Sequence, residues 1–450
     1  MASGRLYNRI ESDYRKSQRF FDVLYFICVI SFAAISLIRD CVSELWATLI
    51  INPYGTTFVF FIDCVLLPML AIFSLVFDFK GQGRLRLYTI LVLVLLFFFQ
   101  INSGLQFFQS VSAYVTAMVD STSLERGLWI YNVGCIYRLG LGYLVVATKG
   151  RDFRKAAWAF VISQAILMVI ITALALTGVI PDLVYEEAGR ANRHSLGLHY
   201  PLNYVSHWFS IALIYCYLKN GLLKVWDYAG LLVLWGVSIF VCKSQTCMIM
   251  FALLIFGTLI RQIAIKYPDA KFLPVKEKRE KISSLMKKSL QFSYPALAVF
   301  MIAGSLLFTP SIRGFFGKIP GLGTFYSRFS FARTGLIKYF PTVFGVDYPI
   351  STWANTVKSQ NYFFIDCSYV SELLHCGVIV YPIIILALFY ICRRLYKENQ
   401  GYLLGLAALF AIICTMEYHL ADFSFNIFWL LIFANITAVS KKGNLNKENG

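Results

Sequence analysis

The sequence predicts an all-α fold, a polytopic integral membrane protein of about 12 transmembrane helices with two large outer loops. Three observations carry that expectation. Hydrophobic residues make up 58% of the 450 and charged residues only 14%, with a mean hydropathy of +0.65, too thin a polar complement to cover a water-soluble domain. Apolar runs of about 20 residues recur along the chain, the length a helix needs to cross a hydrocarbon core about 30 Å thick. The 41 Lys and Arg gather in short segments beside those runs, the pattern that orients spans in a bilayer.

That distribution makes the formal charge of +17 a topology signal, so no nucleic-acid partner is expected. The eleven cysteines lie mostly in or beside apolar runs, as small hydrophobes, and form no disulfide framework. The first apolar run is too long for the core of a cleavable signal peptide, and no small-residue cleavage site follows it.

Residues 1–19 carry Arg5, Arg9, Arg15, Lys16 and Arg19 and are expected in the cytoplasm. A first span, 20–38, leads out to Arg39 and Asp40, and a second, 57–79, returns to Lys80, Arg84 and Arg86. The third covers 87–105, a mildly amphipathic outer segment covers 106–127, and the fourth, 128–148, ends at the basic stretch 149–155. The fifth, 156–178, emerges into the first large outer loop, 179–203. The sixth returns to Lys219 and Lys224. Spans seven and eight, 226–241 and 246–262, turn through Lys243-Ser-Gln-Thr246. The basic loop 261–290 is expected to be cytoplasmic, partly helical and laid on anionic headgroups. The ninth span, 291–308, feeds the second outer loop, 309–368. The tenth, 369–391, ends at Arg393 and Arg394, and the last two cover 402–418 and 424–440. Inner segments then hold 29 Lys and Arg and outer ones 11, with Arg138 inside a span, which puts both termini in the cytoplasm. The whole chain, 1–450, reads as one membrane domain without internal repeats.

The outer positive charges run against that orientation rule and mark the candidate site. Arg190, Arg193, His194 and His199 lie in the first outer loop, and Lys243 in the hairpin turn. The second outer loop holds Arg313, Lys318, Arg328, Arg333, Lys338 and Lys358. Arg190 and Arg193 are three apart, so a helix would present both on one face. Arg328, Arg333 and Lys338 would be splayed about 140° apart on one. A guanidinium offers two parallel donors to two phosphate oxygens, and neutralising a departing pyrophosphate would stabilise a transition state. Solvated loop charges, or arginines on lipid headgroups, account for such residues equally well one at a time. Arg138, mid-span, needs a partner or water; Asp63 could pair with it, or it could meet a lipid phosphate.

A transfer to a sugar hydroxyl also needs a base within hydrogen-bond reach. Asp366 leads, because it sits where the second outer loop re-enters the membrane; it would serve equally as the N-cap of span ten. Glu372, Glu186, Glu187, His194 and His199 are further candidates, and His375, two turns into the span, reads as a satisfied interior histidine. No glycine-rich phosphate loop, zinc-binding His pair or paired-cysteine motif is present, so no cofactor and no metal is expected.

Asp366-Cys-Ser-Tyr369, with Leu373, Leu374 and Gly377 behind it, resembles the segment after the large outer loop of Wzy-type polysaccharide polymerases. The stretch from Arg328 to Phe344-Gly345, through Tyr339-Phe-Pro341, resembles the upstream part of that loop, and Lys243-Ser-Gln-Thr246 a short turn in the same proteins. The resemblance is to the O-antigen polymerase and ligase superfamily. It implies a metal-independent membrane glycosyltransferase of capsule, exopolysaccharide or O-antigen biosynthesis. Such an enzyme joins repeat units carried on undecaprenyl pyrophosphate at the outer face of the bacterial plasma (inner) membrane. It implies that arginines of the two outer loops engage the substrates, which maps onto Arg190 and Arg193 and onto Arg328 and Arg333. Together with the residue reading above, the expected catalytic residues are Asp366, Arg328 and Arg333, and the expected substrate-binding ones Arg190, Arg193, His194, His199, Lys243, Arg138, Lys338 and Tyr369. The partners implied are the undecaprenyl-pyrophosphate-linked oligosaccharide, the lipid bilayer, a chain-length regulator and a flippase. A ligase passing finished glycan to another acceptor is one alternative. A lipid-linked oligosaccharide flippase is another, though it would be expected to show related halves and short outer loops.

Overall fold

The computed structural model describes residues 2–41, 61–76, 140–187, 190–267, 276–309, 323–343, 345–346 and 365–436. They are mostly helical. Helix α1 covers Ala2–Arg39, and a π-helical turn, Phe61–Leu66, runs into α2, Leu67–Val76. After a helical stretch at 140–147 come α3 (Phe153–Leu176), a hairpin of β1 (Val184–Glu187) and β2 (Arg190–His194), and α4 (Pro201–Leu218). Then follow α5 (Val225–Gly236), extended by a π-helix to Val241, α6 (Gln245–Lys266), α7 (Lys276–Leu290) and α8 (Ser293–Leu307). The chain continues through α9 (Gly323–Tyr339), α10 (Ser368–Lys397), α11 (Gly401–Ile413) and a 3-10 helix, Ile427–Ile432.

By length and composition, four helices among the described residues can cross a membrane: Phe20–Ile38 of α1, α3, α6 and α10. A fifth is made if Glu280–Leu290 and α8, bent by 58° at a short break, count as one. Helix α3, at 24 residues, is about 36 Å long, enough for the hydrocarbon core. Its outward ridge of Ile162, Ile166, Val169 and Ile170 is exposed, as is Ile249, Leu253, Phe256 and Ile260 on α6. Apolar ridges facing outward over an apolar core suit lipid as the solvent. The expected third span, 87–105, the outer segment 106–127 and most of the fourth span lie outside the described residues, as does Arg138.

Two expectations change. The described part of the last expected span, 424–436, is not an α-helix. Its polar side chains instead tie it to the segment before it: Asn426 Nδ2 donates to the Leu420 carbonyl at 2.7 Å, and Trp429 Nε1 to the same oxygen at 2.9 Å. In the first outer loop Arg190 and Arg193 lie on a strand, in an antiparallel register pairing Tyr185 with Arg193 and Glu187 with Arg190. A strand alternates its faces, so positions three apart do not share one.

The basic residues expected on the inner side also close helix ends. Arg154 Nη2 donates to the Leu218 carbonyl at 2.8 Å and Arg261 Nε to that of Asn220 at 3.2 Å. Arg394 Nη1 reaches the Leu431 carbonyl at 2.8 Å. Helix ends leave carbonyls without intrahelical partners, and cations there are favourable.

Helix α10 is broken at Gly377, whose φ of 75° and ψ of 176° belong to a region only glycine occupies readily. Residues just after α9 fill the break. Val346 N–H donates to the Leu374 carbonyl at 2.7 Å and Val378 N–H to the Thr342 carbonyl at 3.0 Å. Backbone polar groups freed at membrane depth must find partners within the protein, and Thr342, Val343 and Val346 supply them.

Candidate functional site

Arg328 organises the site from α9. Its guanidinium spans two carboxylates: Nη1 donates to Asp366 Oδ2 at 2.7 Å, and Nη2 to Glu417 Oε1 at 2.9 Å. Arg328 and Glu417 are buried, while Asp366 keeps 21% of its side chain exposed. A planar fork between two anions fits arginine and not lysine. The N-cap position of α10 belongs to Cys367, and the Asp366 carboxylate is engaged by Arg328.

Glu417 went unnoticed in the sequence, where it sits near the end of an apolar run. In the fold it lies beyond α11, in the irregular segment 414–426. Ser368, the serine of Asp366-Cys-Ser-Tyr369, holds that segment in place. Its hydroxyl donates to the Glu417 carbonyl and accepts the N–H groups of His419 at 2.8 Å and Leu420 at 3.2 Å. Thr246, at the start of α6, faces the same Glu417 side chain and favours its charged form. Burial pushes the Glu417 carboxyl up, Arg328 pulls it back and the Asp366 charge adds to the rise, leaving it at about 7.

The loop that carries the β1–β2 hairpin reaches the Lys243–Thr246 turn as well. Arg193, buried, donates through Nε to the Cys242 carbonyl at 3.2 Å and through Nη1 to the Tyr200 hydroxyl at 3.0 Å. Cys242 precedes Lys243, whose φ of 49° sets the turn, and Ser244 then caps α6 through the Cys247 N–H. One chain of contacts thus runs from Arg193 through the Lys243–Thr246 turn to Glu417, Arg328 and Asp366.

Other predicted residues fall around this chain. His194 Nδ1 bonds Asp182 Oδ2 at 2.6 Å, closing the hairpin base. His199 donates its N–H to the Asp40 carbonyl at 2.8 Å, tying the loop to the end of α1. That loop turns tightly at Gly197, where φ is 88° and a Cβ would lie 2.7 Å from Ile180 Cδ1. Arg333 is half-buried, and its Nε has no hydrogen-bond partner among the described residues. It lies about 140° round α9 from Arg328. Lys338 sits over the Tyr339 ring at 5.2 Å. Tyr369 is fully buried and donates to the Ala411 carbonyl at 2.9 Å, a contact of α10 with α11. His375 Nδ1 donates to the Ser371 carbonyl at 3.0 Å, the satisfied interior histidine expected. Glu372 is buried and accepts from the Cys376 thiol at 3.3 Å.

Beside Glu417, His419 stacks on Phe425 at 3.8 Å and His207 on the other flank of that ring at 4.1 Å. His207 Nε2 also bonds Asp40 Oδ2 at 3.0 Å, and Ser36 donates to Asp422 at 2.7 Å. These contacts pin the 414–426 segment to α1 and α4. The nine cysteines whose side chains are described are all buried, and none of them is joined in a disulfide. In comparisons with known proteins, no family, no curated protein and no solved structure matches this chain.

Proposed function

We propose that this chain is a membrane glycosyltransferase that joins undecaprenyl-pyrophosphate-linked oligosaccharide repeat units into a surface polysaccharide. The observation that carries this reading is the convergence on Arg328. Asp366 binds Arg328 directly, Glu417 binds it from the other side with the Lys243–Thr246 turn against its carboxyl, and Arg193 holds the Cys242 carbonyl just before that turn. A hydroxyl of one lipid-linked unit attacks the anomeric carbon of the sugar at the lipid end of the growing chain. The bond from that carbon to the pyrophosphate oxygen breaks, and undecaprenyl pyrophosphate leaves with the bonding electrons. Arg328 and Arg333 neutralise the charge growing on the leaving group, and Asp366, the more exposed carboxylate, receives the hydroxyl proton. The reaction lies at the outer face of the bacterial plasma membrane, with a flippase supplying the substrate and a chain-length regulator as partner.

The test is turnover of purified protein on a lipid-linked repeat unit, read as polymer length and released undecaprenyl pyrophosphate. Wild type should yield both, and Arg328→Ala neither. Polymer of normal length from Arg328→Ala, at normal protein level, overturns the reading.

A further inference from the structure

Arg328 is an anion-binding residue already occupied by anions. With Asp366 and Glu417 both ionised, the three groups carry a net charge of −1. A pyrophosphate arriving there would add further negative charge against a guanidinium whose fork is taken. In a poorly solvated pocket that repulsion is costly, and uncompensated buried charge is relieved most readily by a change of protonation.

We propose that the Arg328 pocket is a polyprenyl-pyrophosphate site at which binding takes up one proton on Glu417, releasing one arm of the guanidinium to the phosphates. This rests on the glycosyl-transfer reading and adds to it how the site switches between its empty and loaded states. Protonation leaves Arg328 and Asp366 balanced in charge, so the pyrophosphate meets a neutral pair instead of an anionic triad. When the product lipid leaves, the proton leaves with the restored ion pair.

The surroundings favour Glu417 over Asp366 as the proton acceptor. Glu417 is buried, whereas Asp366 is partly open to water, and an enclosed carboxylate takes a proton more readily. Among the described residues, the groups facing Glu417 are Arg328 from α9, Asp366 from the approach to α10, Thr246 and the Cys247 thiol from α6, and Cys414 at the end of α11. Arg328 is the sole cation in that set. Its competition with burial and with Asp366 leaves the carboxyl at about 7 in the empty site. Below that value Glu417 already holds its proton. Above it the proton must be taken up on binding, and affinity falls as pH rises.

The experiment is calorimetric titration of detergent-purified protein with farnesyl pyrophosphate, from about pH 6 to 9, in buffers of different ionisation enthalpy. Wild type should bind with constant affinity below about pH 7 and lose up to about tenfold per pH unit above it, with proton uptake approaching one. Glu417→Gln carries the neutral form permanently. It should bind more tightly than wild type at pH 8.5 and show no protein-linked uptake. Protonation of the ligand itself is common to both proteins and cancels in the difference. Thr246→Val keeps the carboxyl but removes a hydroxyl that favours its charged form, so the pH at which affinity begins to fall should rise. It covers the case in which Glu417→Gln fails to fold. Equal proton uptake by wild type and Glu417→Gln overturns the inference while the glycosyl-transfer reading stands. So does an affinity that ignores pH in wild type and in Thr246→Val alike. Absence of farnesyl pyrophosphate binding at every pH, in protein that keeps its fold, overturns both.

Discussion

Arg328 and Glu417, 89 residues apart in sequence, meet at 2.9 Å with both side chains buried, while Asp366, on the other arm of the guanidinium, is partly exposed. The pair is both a structural element and a candidate working part, and two substitutions separate the roles. Arg328→Ala leaves two neighbouring carboxylates without their cation. Removing one partner of a buried ion pair costs about 3–5 kcal/mol, and protonation of Glu417 would offset part of that loss. Arg328→Ala should therefore lower the melting temperature of the purified protein. Adding Glu417→Gln removes the stranded charge and should recover much of the loss without restoring polymer. A double variant that regains both stability and polymer would confine Arg328 to a structural role.

Asp366 is tested by a change that keeps its shape. Asn can still accept from Arg328 through its carbonyl oxygen, so Asp366→Asn should fold, with protein levels close to wild type. It cannot take a proton from an attacking hydroxyl, and turnover should fall by about 10²–10⁴-fold. Normal turnover by the Asn variant would return attention to Glu186, Glu187, His194 and His199 as bases.

Orientation in the membrane follows from the charge bias and is open to direct test. On a background with the native cysteines replaced, Glu280→Cys in α7 should resist an impermeant maleimide in intact cells, and Phe340→Cys should react. Both positions are exposed in the fold, so burial does not explain a lack of labelling. Labelling at 280 and protection at 340 would invert the topology and put the Arg328 pocket on the cytoplasmic side.

Long apolar runs made several helices legible in the sequence. The expected spans 156–178, 246–262 and 369–391 correspond to α3, α6 and α10 to within a few residues at their starts. Periodicity and length determine such segments because a lipid-facing helix satisfies its own backbone. The hairpin of Val184–His194 was missed because a polar, glycine-bearing stretch with few apolar positions has no visible alternation. The segment 414–436 was misread for the opposite reason. It is apolar enough for a span, yet side chains far away, Ser368 above all, satisfy its backbone. Glu417 was hidden with it: one acidic residue closing an apolar run looks like a boundary, and nothing local points to an arginine on another helix. Asp366 and Arg328 were each visible as residues of interest. Their pairing depends on how α9 packs against α10, which no spacing reveals.

Gly377 offers the clearest test of the broken helix. At φ 75° and ψ 176° a β-carbon is strained, at a cost of about 1–3 kcal/mol. Gly377→Ala should therefore destabilise the protein, and it should do so by a particular route. A continuous α10 would recover its own hydrogen bonds across the break and compete with those donated and accepted by Thr342, Val343 and Val346. The segment just after α9 would then lose its anchor, beginning with the Val346 to Leu374 and Val378 to Thr342 bonds. Backbone hydrogen exchange can follow this, with faster exchange at Val346 and unchanged protection in α3, which does not touch the break in this way. A lowered melting temperature with Val346 still protected would show strain without release of the loop. An unchanged melting temperature would mean that the helix at Gly377 is not broken as described. If that segment is released, α9, which carries Arg328, loses the tie that Thr342 and Val346 make to α10, so turnover should fall in Gly377→Ala even at temperatures where the protein remains folded.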